Sequence, residues 1–217
     1  MDLLHWFVDF VLHIDKHLID LLAEYKTSVI FIIALIIFCE TGLVVTPILP
    51  GDSMIFAFGA LVADPSANIN VHFSALVFIA AAFLGNLANY SIGRFIGPKV
   101  YEKNYKLISR KYLDRTQKFF DKYGAMTIIY TRFAPILRTF APFIAGVGQM
   151  KLGKFALYNF IGGFLWVVAF LYAGFFFGNI TFVKEHFEII VLGIILVSLI
   201  PAVFAFLKMR FGKKEVV

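Results

Sequence analysis

Four ionisable side chains stand in segments that are otherwise apolar. Glu40 and Asp52 bracket the run Thr41-Gly-Leu-Val-Val-Thr-Pro-Ile-Leu-Pro-Gly51, and Arg132 and Arg138 bracket Phe-Ala-Pro-Ile-Leu. An ionised group at the centre of a spanning helix costs about 2.5–3.5 kcal/mol on insertion scales, so such groups face a protein interior or an aqueous cavity. Two acids on one broken segment and two arginines on another have the chemistry of a site for an anionic headgroup. Forked guanidinium donors at Arg132 and Arg138 suit phosphate oxygens. Desolvation favours the protonated form of a carboxyl, which would let Glu40 and Asp52 exchange protons while the arginines hold a phosphate. The breaks are set by Pro47, Pro50 and Gly51 in the first segment and by Pro135 and Pro142 in the second, because proline removes a donor and clashes with the preceding turn. Backbone opened at membrane depth must be buried in protein or line a watery cavity, and freed N–H groups at helix ends favour anions.

Three plainer readings compete. The acids could occupy an ordinary external turn, the arginines could snorkel to the interface, or the four charges could form a structural ion-pair cluster with no substrate. The last is the strongest competitor, because opposite charges in membranes often simply pair. Other candidates carry less. Asp9, His13 and His17 lie four apart, a spacing that could suit a metal, but the polar face of an amphipathic helix accounts for them, and neither metal nor cofactor is expected. Asn86 and Asn89 fit hydrogen bonds between helices. The region of Trp166 and Tyr172 fits packing or interfacial anchoring. All five histidines (5, 13, 17, 72 and 186) fall outside the two charged segments, which leaves a hydrolase there without the usual general base, and the chain is expected not to be an enzyme.

These residues sit in an oily chain: 60% of its 217 residues are hydrophobic, a composition of integral membrane proteins. Residues 155–183 and 189–207 carry no charge, each long enough to cross a hydrocarbon core, which needs about 20 residues. One membrane domain is expected over 1–217. The lone Cys39 forbids an intramolecular disulfide, and the N-terminus lacks the marks of a cleaved signal peptide. Between Arg94 and Lys122 lie nine basic and three acidic residues, a net of +6 that equals the figure for the whole chain. Set between membrane segments, this block fits a cytoplasmic loop obeying the positive-inside rule better than a nucleic-acid surface, and it should attract anionic membrane lipids.

The expected fold is an all-α membrane protein with about three spanning helices, two facing re-entrant helical hairpins and an N-terminal amphipathic helix. Residues 1–25 form the interfacial helix, with Leu3, Phe7, Phe10, Ile14, Leu18 and Leu21 on one face. Hairpin 1 is 27–63, whose apolar arms are each too short to span. Residues 73–93 span, with small residues for close helix contact. The basic loop is 94–122, hairpin 2 is 124–150, helices 155–178 and 187–207 span, and 208–217 is a basic cytoplasmic tail. Residues 124–150 are too few for two spans, and a single span would have to carry Arg132, Pro135, Arg138 and Pro142. It would also put Lys151 and Lys154 opposite the basic loop, so charge parity favours re-entrance. The result is inverted-repeat-like, with hairpin tips meeting near the midplane as in many transporter sites. Small-residue helices allow a homodimer.

Four blocks in this order resemble the DedA family, also described as the SNARE-associated or VTT-domain superfamily. They read Glu40-Thr-Gly…Pro47-x-x-Pro50-Gly51-Asp52, then Gly85-Asn-x-x-x-Tyr90-x-x-Gly93-Arg94-x-x-Gly97, then Arg132-Phe-x-Pro135-x-x-Arg138 followed by Gly146, Met150 and Phe155, and last Asn159-x-x-Gly-Gly-x-x-Trp166. The likeness runs roughly from Lys26 to the last helix. One departure is Asn86, where members often carry Asp, so a proton role does not carry over to that position. The resemblance implies a bacterial inner-membrane protein with two facing re-entrant hairpins. It also implies movement of lipids between leaflets, including undecaprenyl phosphate recycling and phospholipid scrambling, with dependence on the proton motive force. Its membrane acids and arginines correspond to Glu40, Asp52, Arg132 and Arg138. The expected function is therefore a lipid-phosphate transporter, acting as a flippase or scramblase. A proton-coupled small-ion or drug antiporter and a non-transporting membrane assembly factor stand as alternatives.

Overall fold

The computed structural model of the chain describes residues 25–43, 51–102, 120–178, 180 and 193. The amphipathic segment, Pro47, Pro50, His13, His17, most of the basic loop, the last expected span and the tail lie outside the described residues. Every element within them is helical. A 3-10 turn at Lys26–Ser28 leads into α1 (Val29–Gly42), followed by α2 (Gly51–Val62) and α3 (Val71–Glu102). After a 3-10 turn at Gly124–Met126 come the short α4 (Thr127–Tyr130), a second 3-10 turn at Thr131–Phe133, α5 (Pro135–Val147) and α6 (Leu152–Phe177).

Two of these helices are long and apolar enough to cross a membrane, over Val71–Ile96 and Leu152–Phe177, 26 residues each. At 1.5 Å per residue such a segment reaches about 39 Å. By contrast α1, α2 and α5 have 14, 12 and 13 residues, about 18–21 Å, too short for a core of about 30 Å. α3 extends past the expected 73–93 through Glu102, so the first nine residues of the basic segment are helical. The run there of Arg94-Phe-Ile and Lys99-Val-Tyr-Glu102 alternates apolar with charged residues, a pattern that a helix emerging from an apolar layer can keep.

α3 and α6 lie antiparallel. His72 Nδ1 meets Tyr172 Oη at 2.5 Å at one end, Asn86 donates to Asn159 in between, and Tyr90 stacks on Phe155 with centroids 4.3 Å apart at the other end. α2 packs along α6, while α1 and α5 pack along α3. These contacts are close because side chains are missing where backbones cross. A β-carbon on Gly59 or Gly174 would strike the facing α6 or α2 backbone, and one on Gly93 or Gly146 the facing α5 or α3 backbone. Lipid tails are as apolar as leucine, so van der Waals fit rather than water exclusion must hold such helices together. Ile33, Ile37, Phe58, Phe78 and Leu171 fill the interior between α1, α2, α3 and α6. The outer faces carry Leu35, Leu76, Leu84, Leu157 and Phe176, all exposed. Apolar residues inside and outside together are the pattern of helices solvated by lipid.

The break before α5 has a local cause. Ala134 is extended (φ −124°, ψ 100°) and Pro135 takes the first helical position, because proline bars the preceding residue from helical geometry yet tolerates N1 itself. Pro142 lies inside α5, where it has no N–H to offer the Arg138 carbonyl.

Candidate functional site

The two charged segments meet. Glu40 is in the last turn of α1, Asp52 in the first turn of α2, Arg132 in the 3-10 turn before α5, and Arg138 in the first turn of α5. Their exposures are 0%, 9%, 1% and 4%, so all four are withdrawn from solvent. Arg138 Nη1 donates to Asp52 Oδ1 at 2.6 Å, and its Nη2 donates to Glu40 Oε1. One guanidinium therefore holds both acids. Gly51 makes this possible: a β-carbon there would lie 2.9 Å from Glu40 Cδ, so any side chain at the start of α2 would push the carboxylate away from Arg138.

Arg132 is held differently. Its Nη2 donates to Asn159 Oδ1 at 2.8 Å and to the Ala82 carbonyl at 3.2 Å, while its Nε and Nη1 are buried without a hydrogen-bond partner among the described residues. No carboxylate among the described residues forms an ion pair with it. Among the same residues Arg138 Nε is likewise buried and unpartnered. The site thus pairs two acids with one arginine and leaves the second with a net charge and two free donors. Such groups are costly in a low-dielectric interior unless something answers them.

Trp166 joins the two halves. Its Nε1 donates to Asp52 Oδ1 at 2.8 Å, and its ring lies 5.2 Å from the Arg138 Cζ and 5.8 Å from the Arg132 Cζ, within cation–π range of both. Counting 1.5 Å per residue, Trp166 is about 21 Å from the start of α6 and about 17 Å from its end. The cluster is thus near the middle of an apolar span. Sequence reasoning assigned Trp166 to packing or anchoring and missed this role, and it gave Asn159 none. A signal was present: Asn159, Gly162, Gly163 and Trp166 are spaced to share one helix face, with both glycines against the Arg132 side chain.

A polar ridge on α3 completes the site. Asn86 Nδ2 donates to Asn159 Oδ1 at 3.0 Å, and Asn159 Nδ2 to the Phe83 carbonyl at 3.0 Å. Asn89 Nδ2 donates to the Thr41 carbonyl at 3.1 Å and to the Thr139 carbonyl at 2.9 Å. It thereby satisfies a terminal carbonyl of α1, which that helix leaves open, and adds a second donor to a carbonyl inside α5. Both asparagines make the interhelical hydrogen bonds expected of them. Pro142 lies inside α5, three residues past Thr139, whose carbonyl Asn89 engages. Among the described residues no group of three His, Cys, Asp or Glu could hold a metal ion.

Residues 49–176 match the VTT domain. The chain is 50% identical over 204 residues to Protein DedA of Escherichia coli, covering 94% of this chain and 93% of that protein. It is 41% identical over 171 residues to an uncharacterized membrane protein of Mycobacterium tuberculosis, covering 78% of this chain and 75% of the relative. It is 31% identical over 182 residues to the inner membrane protein YghB of Escherichia coli, covering 83% and 79%. No solved structure matches it. With a domain match over more than half its length and relatives of this identity and coverage, the chain belongs to the DedA family of VTT-domain membrane proteins.

Proposed function

We propose that this protein carries a polyprenyl phosphate such as undecaprenyl phosphate, or a related anionic phospholipid, between the leaflets of the bacterial inner membrane, in a manner linked to the proton motive force. The inner-membrane location rests on the name of the YghB relative. The observation that carries the proposal is Arg132: a buried guanidinium that, among the described residues, has two unpartnered donors and no ion-paired carboxylate, beside an Arg138 that already holds Glu40 and Asp52. A phosphate oxyanion supplies the acceptors that Arg132 lacks. The short broken helices α1/α2 and α4/α5 act as facing re-entrant hairpins whose tips carry this site. The lipid tail stays in the bilayer while only the headgroup enters the polar interior. Protonation of Glu40 or Asp52 weakens one of the two holds on Arg138, adds positive charge to the cluster and frees a donor for the phosphate. Proton uptake and headgroup entry then favour each other, and proton release on the other side expels the headgroup. The protein makes and breaks no covalent bond in this scheme.

The test is reconstitution in liposomes with a fluorescent polyprenyl phosphate whose exposure on each leaflet is read by a membrane-impermeant quencher. Arg132→Gln, which keeps a donor for Asn159 or Ala82 but removes the charge, should slow flipping at least about tenfold, consistent with loss of a charge-assisted hydrogen bond. Wild-type rates in that variant would remove Arg132 as the phosphate site. Liposomes lacking polyprenyl phosphate separate the antiporter alternative, since an antiporter still exchanges ions there.

A further inference from the structure

A second feature lies where the two apolar spans end. Arg94 is near the close of the span Val71–Ile96, and Leu152 opens the span Leu152–Phe177. Between them is a groove of about 370 Å³ lined by Tyr90, Ser91, Arg94, Phe95 and Leu152. Its volume falls at the lower end of the about 300–1,000 Å³ of small-molecule sites. We infer that this groove binds the phosphate headgroup of an anionic phospholipid from the adjoining leaflet. The inference does not depend on the translocation reading.

The groove sets a guanidinium beside apolar surface. Arg94 gives one N–H to Tyr90 Oη at 3.3 Å, while Tyr90 is held in turn by the Met150 carbonyl and by stacking on Phe155. This anchors the guanidinium against a buried ring and leaves its remaining donors for a ligand. Lys151 and Lys154, both exposed, stand at the start of α6 beside Leu152, so the field at the groove mouth is positive. Beyond Arg94, α3 enters the segment 94–122 with its excess of basic residues. Phe95 is 84% and Leu152 48% exposed, suited to lie along acyl chains. Guanidinium donors beside exposed apolar side chains, placed at the level where two spanning segments stop, match the headgroup–tail boundary of a lipid. Basic residues at that level each add about 1 kcal/mol of attraction to an anionic leaflet, but only a fixed groove gives selectivity for one headgroup.

Binding can be measured by native mass spectrometry of the purified full-length protein titrated with phosphatidylglycerol, with phosphatidylcholine in a parallel titration and inorganic phosphate as competitor. Phosphatidylglycerol should bind with a defined stoichiometry and more tightly than phosphatidylcholine. Arg94→Gln should weaken it about tenfold or more. Ser91→Trp, which fills the groove without altering charge, should do the same, whereas Lys122→Gln, equal in charge to Arg94→Gln but outside the groove, should change binding less than about twofold. Equal effects of Arg94→Gln and Lys122→Gln, or full binding by Ser91→Trp, would overturn the site. Displacement of the lipid by millimolar inorganic phosphate alone would overturn its assignment to a lipid.

Discussion

Replacing Arg138 by methionine is the sharpest probe of the charged cluster. The side chain is 4% exposed and is the common partner of Glu40 and Asp52. Its loss takes the shared cation from two buried carboxylates, of which Asp52 keeps the Trp166 N–H. Breaking a buried pair by removing one partner costs about 3–5 kcal/mol. For a chain of this size about 1 kcal/mol corresponds to 2–4 °C of melting temperature, so the expected fall is about 6–20 °C, readable by thermal unfolding in detergent. The triple variant Glu40→Gln, Asp52→Asn, Arg138→Met removes the stranded charges with their partner and should recover most of that loss, because a buried ion cluster replaced by neutral groups of similar volume is often neutral in stability. Single and triple variants should therefore differ by at least about 2 kcal/mol, the coupling expected of groups in one network. The stable triple should still fail to flip polyprenyl phosphate, which separates folding from transport. A shift in Arg138→Met below about 1 kcal/mol, or a triple variant no more stable than the single one, would refute the pairing described here.

Other outcomes follow from the same contacts. Gly51→Ala drives a methyl group into the Glu40 carboxylate and should cost about 1–3 kcal/mol by overpacking, whereas Gly153→Ala, with nothing within 4 Å, should be neutral or slightly stabilising in the same unfolding assay. Asn89→Ala strips the Thr41 and Thr139 carbonyls of their shared donor and should cost about 1–3 kcal/mol, with faster amide exchange at the start of α5. Trp166→Phe removes the donor to Asp52 Oδ1 but keeps a ring near both guanidiniums. It should lower the melting temperature by a few degrees, corresponding to about 1–2 kcal/mol.

Much of this site is legible in the residues because charge is so costly in an apolar segment that Glu40, Asp52, Arg132 and Arg138 had few places to go. The shortness of α1, α2 and α5 is legible too, since proline and glycine mark where each must stop. The division of labour between the arginines is not. Arg132 and Arg138 stand symmetrically about Pro135, six residues apart. They separate only because Ala134 turns extended and puts one in a 3-10 turn and the other at the head of α5. Trp166 is opaque for a related reason: a tryptophan in an apolar helix satisfies packing, anchoring and hydrogen bonding equally well. Only the crossing of α2 and α6, set by Gly59 and Gly174, brings Asp52 to its indole nitrogen. The extension of α3 to Glu102 escaped the hydropathy pattern because that pattern marks where an apolar layer ends rather than where a helix does.

The strongest rival to transport is a cluster that exists only to lock helices together, and the pattern of unsatisfied atoms weighs against it. A purely structural cluster is stable when its charges pair one to one and every donor meets an acceptor, since a half-satisfied polar network is worse than an apolar core. Here the acids are on one arginine, and among the described residues the donors Arg138 Nε and Arg132 Nε and Nη1 stay buried and unpartnered, as do the acceptors Asn86 Oδ1 and Asn89 Oδ1. Each such group costs about 1–3 kcal/mol, more when it belongs to an ion. The chain answers Arg132 there with the Ala82 carbonyl and the Asn159 amide oxygen, and it packs Gly163 so closely that a β-carbon would lie 3.2 Å from Nη2. Deficits of this kind persist where a guest completes the network, and under the transport reading proposed above the acceptors that the Arg132 donors lack would come from the oxygens of an anionic headgroup.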